Sequence, residues 1–223
     1  MNIRYVALRL VLAAALLWAI FSGIGRLLGK DATPLDQSVT NAITSKRTGT
    51  WDDITHWVSL CSGTLTVVAI AAIAFVVLRL ILRRWREGVL LVLAVAGEAA
   101  IFVCITAVVD RERPDVMRLD GAPPTSSFPS GHVGAAVALY GGLAVVAWLA
   151  AAPAAIRVLS TVVAVLLPLA VGLSRMYRGM HHLTDVLGGL ALGGVWLCVV
   201  TLVIVAATRE RAASDHGQRV LAR

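Results

Sequence analysis

Charge is what this sequence has least of. Only 15% of its 223 residues are Asp, Glu, Lys or Arg and 58% are hydrophobic, where an average soluble domain is about 25% charged. So few charges cannot cover so much apolar surface. This excludes a soluble enzyme of ordinary composition, and also a disordered chain, which needs the opposite balance. Cysteine is scarce too. Cys61, Cys104 and Cys198 lie far apart and form no CxxC pair, which excludes a disulfide framework, and they read as small core hydrophobes. No repeat of 20–50 residues and no low-complexity linker breaks the chain. The formal charge of +7 is not a nucleic-acid signature either, because the 20 basic residues are spread through apolar runs in the manner of a membrane protein.

Long apolar runs are what the sequence does have. A helix needs roughly 20 mostly apolar residues to cross a bilayer core. Six stretches qualify: Tyr5–Ile24, Leu60–Leu82, Gly88–Val109, His132–Ala152, Ala154–Leu173 and Leu183–Ala207. The expected fold is an all-α, integral-membrane bundle of six transmembrane helices. It is expected as one domain over residues 1–223, with a disordered cytoplasmic tail from about 209 to 223. The first span reads as a retained helix rather than a signal peptide, since Arg9 interrupts it and no good cleavage site follows. Between the spans lie a polar loop (Arg26–Thr55), a basic turn (Arg83–Glu87), a long loop (Asp110–Gly131), a tight turn near Pro153 and a short loop (Ser174–His182).

An even number of crossings puts both termini on one side. That side carries eleven of the 20 lysines and arginines, and the other side carries nine, together with nine of the 13 acidic residues. Several arginines of the second side fall within reactive motifs, where function rather than insertion retains them. The termini are therefore expected in the cytoplasm.

The reactive residues concentrate in two loops. One reads Asp110-Arg111-Glu112-Arg113-Pro114 and then Phe128-Pro129-Ser130-Gly131-His132. The other runs from Ser174-Arg175 to His181-His182-Leu183-Thr184-Asp185. Two spans separate His132 from His181, so both loops return to the same membrane face and can share a site. Ser130 is a favoured N-cap, and a helix beginning at Gly131 would aim free N–H groups and its positive dipole end at an anion. Arg113 and Arg175 can add bidentate forks suited to phosphate. His181 and Asp185 are four apart and can share a helix face. A carboxylate on one ring nitrogen would leave the other free as a nucleophile, and His132 would remain as proton donor to a leaving oxygen. Zinc would want three or four ligands at suitable spacing, which His56, His132, His181, His182 and His216 do not offer, so no metal is expected.

Arg113-Pro114, Pro129-Ser130-Gly131-His132 and Ser174-Arg175 followed by His181 and Asp185 together resemble the three-part signature of the type 2 phosphatidic acid phosphatase (PAP2) superfamily. The resemblance runs from about Thr106 to Asp185, and the six-helix layout extends it along the chain. It implies a membrane lipid phosphatase that needs no metal or other cofactor. His181 would form a phosphohistidine, with Asp185 orienting it. His132 would protonate the leaving group and then activate water, while Arg113, Ser130, Gly131 and Arg175 hold the phosphate. The family's first motif usually opens with a lysine seven residues before the arginine of Arg-Pro. Thr106 stands there instead, and Arg111 is expected to supply the missing charge.

The substrate is thus expected to be a lipid phosphate or diphosphate, with polyprenyl diphosphate, phosphatidate and phosphatidylglycerol phosphate as candidates. The site would lie on the extracytoplasmic face of the plasma membrane. A phosphotransferase using the same phosphohistidine is the alternative within enzymes. A transporter with Glu98 and Arg9 along its path is the alternative from another class. Outside the motifs, Arg178 and His182 read as lipid-headgroup or water contacts and Tyr177 as an interface anchor. Asp36, Asp52 and Asp53 read as solvated loop charges.

Overall fold

The computed structural model describes residues 3–121 and 123–221, with side chains to residue 210. Among the described residues every regular element is helical. A bilayer offers the backbone no water, so each spanning segment must satisfy its own N–H and C=O groups. Six helical segments are long and apolar enough to cross: Ile3–Leu28, Thr64–Leu82, Arg86–Thr106, Gly131–Leu149, Ala154–Tyr177 and Leu183–Glu210. They coincide with the six expected spans.

In chain order, α1 (Ile3–Leu28) leads to two helices, α2 (Pro34–Thr44) and α3 (Gly49–Leu60), and then to α4 (Thr64–Leu82) and α5 (Arg86–Thr106). The fourth span is α6 (Gly131–Ala136), a π-helical turn over Val137–Gly141, and α7 (Gly142–Leu149). The last two spans are α8 (Ala154–Tyr177) and α9 (Leu183–Leu221). Two expectations need correction here. The segment Arg26–Thr55 is not a loop. Thr33 caps α2, accepting from the Asp36 N–H while the Asp36 carboxylate takes the Thr33 N–H, and Pro34 opens the helix, all of which are helix-start signals. The tail expected to be disordered from about residue 209 instead continues α9 to Leu221; residues 222–223 lie outside the described residues.

The main core joins α1, α5 and α9, with Leu17, Phe21, Leu90, Ile101, Ile105, Leu192, Trp196 and Val200 buried together. Lipid is as apolar as leucine, so helices in a membrane associate through close backbone approach at small residues. Gly189 of α9 does this at the site end of the bundle. A Cβ there would stand 2.5 Å from the Ser130 carbonyl oxygen. The backbone N–H of Ser130 donates to the Asp185 carbonyl at 2.9 Å, which ties the start of α6 to the start of α9. Helices α2 and α3 lie over the same end, with the Asp36 carboxylate accepting from the Thr184 N–H and the Thr55 carbonyl accepting from the Ser174 hydroxyl.

Candidate active site

Gly131, His132, Arg113, Arg175 and His181 line one cleft of about 470 Å³, together with Asp120, Thr125 and Ser126 of the long loop. Residues far apart in sequence meet here because the Asp110–Gly131 loop and the His181–Asp185 segment lie at the same end of the bundle.

His181 is buried, and its Nδ1 lies 2.9 Å from the Ser127 carbonyl oxygen. A carbonyl can only accept, so Nδ1 carries the proton and the Nε2 lone pair is free. Burial, reinforced by the nearby Arg175 and Arg113 charges, outweighs the pull of Asp185 and holds the His181 pKa below the ordinary value for histidine. The ring is therefore neutral at pH 7, as a nucleophile must be. Asp185 sits behind it rather than on it. Its Oδ2 is 3.8 Å from Nδ1, beyond hydrogen-bond range, and takes the Ser127 hydroxyl and the His182 N–H instead. The direct His181–Asp185 contact expected from the four-residue spacing is thus replaced by an indirect arrangement. Asp185 holds Ser127, and Ser127 holds the imidazole. Nothing in the sequence motifs marked Ser127.

The anion side of the cleft has donors to spare. Ser130 precedes α6 as its N-cap, yet its hydroxyl makes no capping bond and is buried without a partner. The Nε–H groups of Arg113 and Arg175 are likewise buried and unpartnered. Both guanidiniums are anchored by their outer nitrogens: Arg113 donates to the Met180 carbonyl at 2.8 Å, and Arg175 donates to Ser59 Oγ and Asp120 Oδ2, each at 2.8 Å. Leaving buried polar groups unmatched costs free energy. Three such unmatched donors lie together among the residues expected to grip phosphate.

Arg111 does not join that clamp. Its side chain is fully buried, with Nε donating to Asp185 Oδ1 at 3.1 Å and one outer nitrogen donating to Asp36 Oδ2 at 2.8 Å. The other outer nitrogen meets the Leu28, Gly29 and Asp31 carbonyls. No N–H remains for phosphate. Thr106 is also elsewhere. Its hydroxyl turns back to the Val103 carbonyl at 3.0 Å, and it lines an adjoining groove with Arg111 and His182, one that shares Arg113, Thr125 and Ser126 with the cleft of the two catalytic candidates.

Other residues read from sequence as surface groups are internal. Arg178 is buried, with Nε 2.8 Å from Asp120 Oδ2 and an outer nitrogen 2.6 Å from Asp120 Oδ1. Tyr177 is buried as well, its hydroxyl donating to Asp52 at 2.9 Å. His182 is buried rather than exposed to headgroups. Asp120, which no motif marks, is the hinge of this cluster because its carboxylate spans Arg175 and Arg178. Burial would raise the Asp120 pKa, but the Arg178 hydrogen bond and the two arginine charges outweigh it and keep the carboxyl below its ordinary range. Among the described residues no group of three or more His, Cys, Asp or Glu could hold a metal ion. Arg9, which would accompany Glu98 along a transport path, instead pairs with Glu210 at 3.7 Å, with both side chains mostly exposed.

With the geometry in place, comparison with known proteins adds the lineage. The family model of the PAP2 superfamily matches residues 87–209, a range that contains every catalytic and phosphate-binding residue expected from the sequence. The chain belongs to the PAP2 superfamily. Phosphatidylglycerophosphatase B of Bacillus subtilis (strain 168) is 33% identical over 116 residues, which is 50% of this chain and 55% of that protein. The chain thus spans about half the length of this curated relative. The crystal structure of the first transmembrane PAP2-type phosphatidylglycerolphosphate phosphatase from Bacillus subtilis superposes with a TM-score of 0.71 at 21% identity, covering 88% of this chain and 96% of that one. LpxE of Aquifex aeolicus superposes with a TM-score of 0.60 at 20% identity, covering 77% and 97%. This PAP2 chain therefore shares its six-helix membrane fold with solved members at low identity.

Proposed function

We propose that the chain is a membrane lipid phosphatase that removes the terminal phosphate of a lipid phosphate or diphosphate through a phosphohistidine. The observation that carries this reading is the set of unpartnered donors, Arg113 Nε, Arg175 Nε and Ser130 Oγ, around the start of α6 and beside a neutral imidazole. A phosphoryl group has three equatorial oxygens over which charge spreads during transfer. Arg113, Arg175, Ser130 and the free N–H groups at Gly131 would take them. His181 Nε2 would attack phosphorus as the P–O bond to the lipid breaks, and His132 would give a proton to the departing oxygen. Water, deprotonated by His132, would then break the N–P bond and release inorganic phosphate with His181 restored. Asp185 acts through Ser127, holding the ring and offsetting the positive charge it carries while phosphorylated.

Candidate substrates are polyprenyl diphosphate, phosphatidate and phosphatidylglycerol phosphate, the last suggested by the names of the relatives. The test is direct. Purified protein in detergent should release phosphate from at least one of these lipids with EDTA present. An absolute requirement for a divalent cation would overturn the mechanism.

The same reading places the cleft on the extracytoplasmic face. Of the basic residues at that end, Arg111, Arg113, Arg175 and Arg178 are committed to internal partners, and Lys30 pairs with Asp110. They say little about insertion, and the opposite end keeps the larger share of Lys and Arg. Met117 is 71% exposed at the site end, and Ala155 is exposed at the start of α8 on the other. In a background without Cys61, Cys104 and Cys198, Met117→Cys should label in intact cells with a membrane-impermeant maleimide, and Ala155→Cys should not. The reverse pattern would put the site in the cytoplasm.

A further inference from the structure

The cleft does not stop at the histidines. It continues between α4, α5 and α6, where Val67, Val68, Val95 and Phe102 line it, as an acyl or isoprenoid tail would require. Glu98 lines the same passage and fits neither tail. It lies one turn along α5 from Phe102, is 2% exposed, and its Oε1 has no hydrogen-bond partner. An ionisable side chain at membrane depth is costly and marks function by default. An unpaired carboxylate would be costlier still than a carboxyl that keeps its proton, and the protonated group has an O–H to donate.

The carboxyl lies directly against α6. A Cβ at Gly134 would collide with Glu98 Oε1, so the carboxyl lies against the helix backbone where only glycine leaves room. Gly134 stands three residues beyond Gly131, roughly 5 Å, or about one helical turn, deeper than the helix start that faces the phosphate. A glycerol-based lipid phosphate carries ester carbonyls a few bonds from its phosphorus. An isoprenoid phosphate has only carbon and hydrogen beyond the oxygen that bears its phosphate.

We infer that Glu98 is a specificity-determining residue that hydrogen-bonds a glycerol-ester carbonyl of the substrate, so that the cleft selects diacylglycerol phosphates over isoprenoid phosphates. The inference rests on the phosphatase reading and names its substrate class. An isoprenoid in the cleft would leave the Glu98 carboxyl buried and unmatched, the situation in which a site built to hydrogen-bond rejects an analogue that cannot answer.

The experiment compares kcat/KM for dioleoyl phosphatidate, its dialkyl-ether analogue and farnesyl monophosphate in the same micelles. The wild type should favour the ester over the ether lipid by on the order of ten-fold, the contribution of one buried hydrogen bond, and should disfavour the isoprenoid further. Glu98→Leu should bring the ester-to-ether ratio close to one, and Glu98→Gln, which keeps a donor, should preserve most of it. Equal activity of the wild type on ester and ether lipids, or a ratio unmoved by Glu98→Leu, overturns the inference while leaving the phosphatase reading intact. Release of phosphate from none of the three, nor from phosphatidylglycerol phosphate or a polyprenyl diphosphate, overturns the phosphatase reading. In that event thermal shifts with the phosphonate analogues of the ester and ether lipids test Glu98 alone, and equal shifts sink it. The wild-type comparison needs no variant, so a poorly folding Glu98→Leu cannot shelter the proposal.

Discussion

His181→Ala should abolish phosphate release from every substrate, whereas His132→Ala should slow it by roughly 10²–10⁴-fold, the range of general acid–base assistance. The asymmetry follows from what each ring does. His181 has its Nδ1 proton committed to the Ser127 carbonyl and so offers a fixed, neutral Nε2. Among the described residues no other imidazole is set in that way, and without it no covalent intermediate should form. In the proposed scheme His132 moves protons and forms no bond to phosphorus, and a leaving oxygen that departs readily needs less help in the first step. On an aryl phosphate with an acidic phenol, His132→Ala should therefore recover much of its deficit in the initial burst of phenol release, though not in steady-state turnover, and His181→Ala should recover none in either. Wild-type protein quenched during turnover should carry acid-labile, base-stable phosphate on His181. His132→Ala should accumulate more of it with good leaving groups, because breakdown of the intermediate still lacks its base. Identical responses of the two variants to leaving-group pKa would refute this division of roles, as would phosphate mapped to another residue.

The reading from sequence succeeded where a physical constraint acts locally and failed where a partner lies far along the chain. Six spans were legible because bilayer thickness sets a length and composition that few other structures imitate. The meeting of His132, His181, Arg113 and Arg175 was legible because an even number of crossings separates their loops. Asp36 was not. Its Thr33-Pro34 context announces a helix start, but its burial depends on Arg111, 75 positions away, and on Thr184, 148 positions away. Asp120 was missed for the same reason. A carboxylate in a loop looks solvated until Arg175 and Arg178 arrive from α8 and its exit. Ser127 is a plain serine whose importance lies in its backbone carbonyl as much as its hydroxyl, and no side-chain pattern records a carbonyl. The pairing of His181 with Asp185 by spacing alone assumed a regular helix from His181 onward. Helix α9 begins at Leu183, so the geometry of a helical i, i+4 pair does not apply.

Arg111 shows the same limit. Placing it in the phosphate clamp with Arg113 took nearness in sequence for nearness in space, but the segment that carries both is irregular, and the two guanidiniums go different ways. Arg113 reaches the cleft. Arg111 turns inward to two carboxylates that, like itself, are fully buried at the side chain. Burial would raise the Asp36 pKa, but hydrogen bonds from Thr184 and Thr33 outweigh it and hold the carboxyl below its ordinary value. Its contribution is therefore present at neutral pH and is lost only as the pH falls through that lowered value. Removing one member of a buried ion pair leaves the others as uncompensated buried charges, at a cost of about 3–5 kcal/mol. Arg111→Ala should accordingly lower the Tm in detergent sharply and yield little folded protein. Arg111→Lys should rescue little, since one ammonium cannot serve two carboxylates and a ring of carbonyls at once. Any folded fraction should keep a near wild-type inhibition constant for inorganic phosphate, because the groups that face the anion remain. Activity should fall more than that constant, as Asp185 loses the partner on its Oδ1 and Ser127 with it loosens its hold on His181. Were Arg111 instead part of the clamp, Arg111→Ala would fold with a wild-type Tm and bind phosphate much more weakly, and that result would overturn the buried-anchor account.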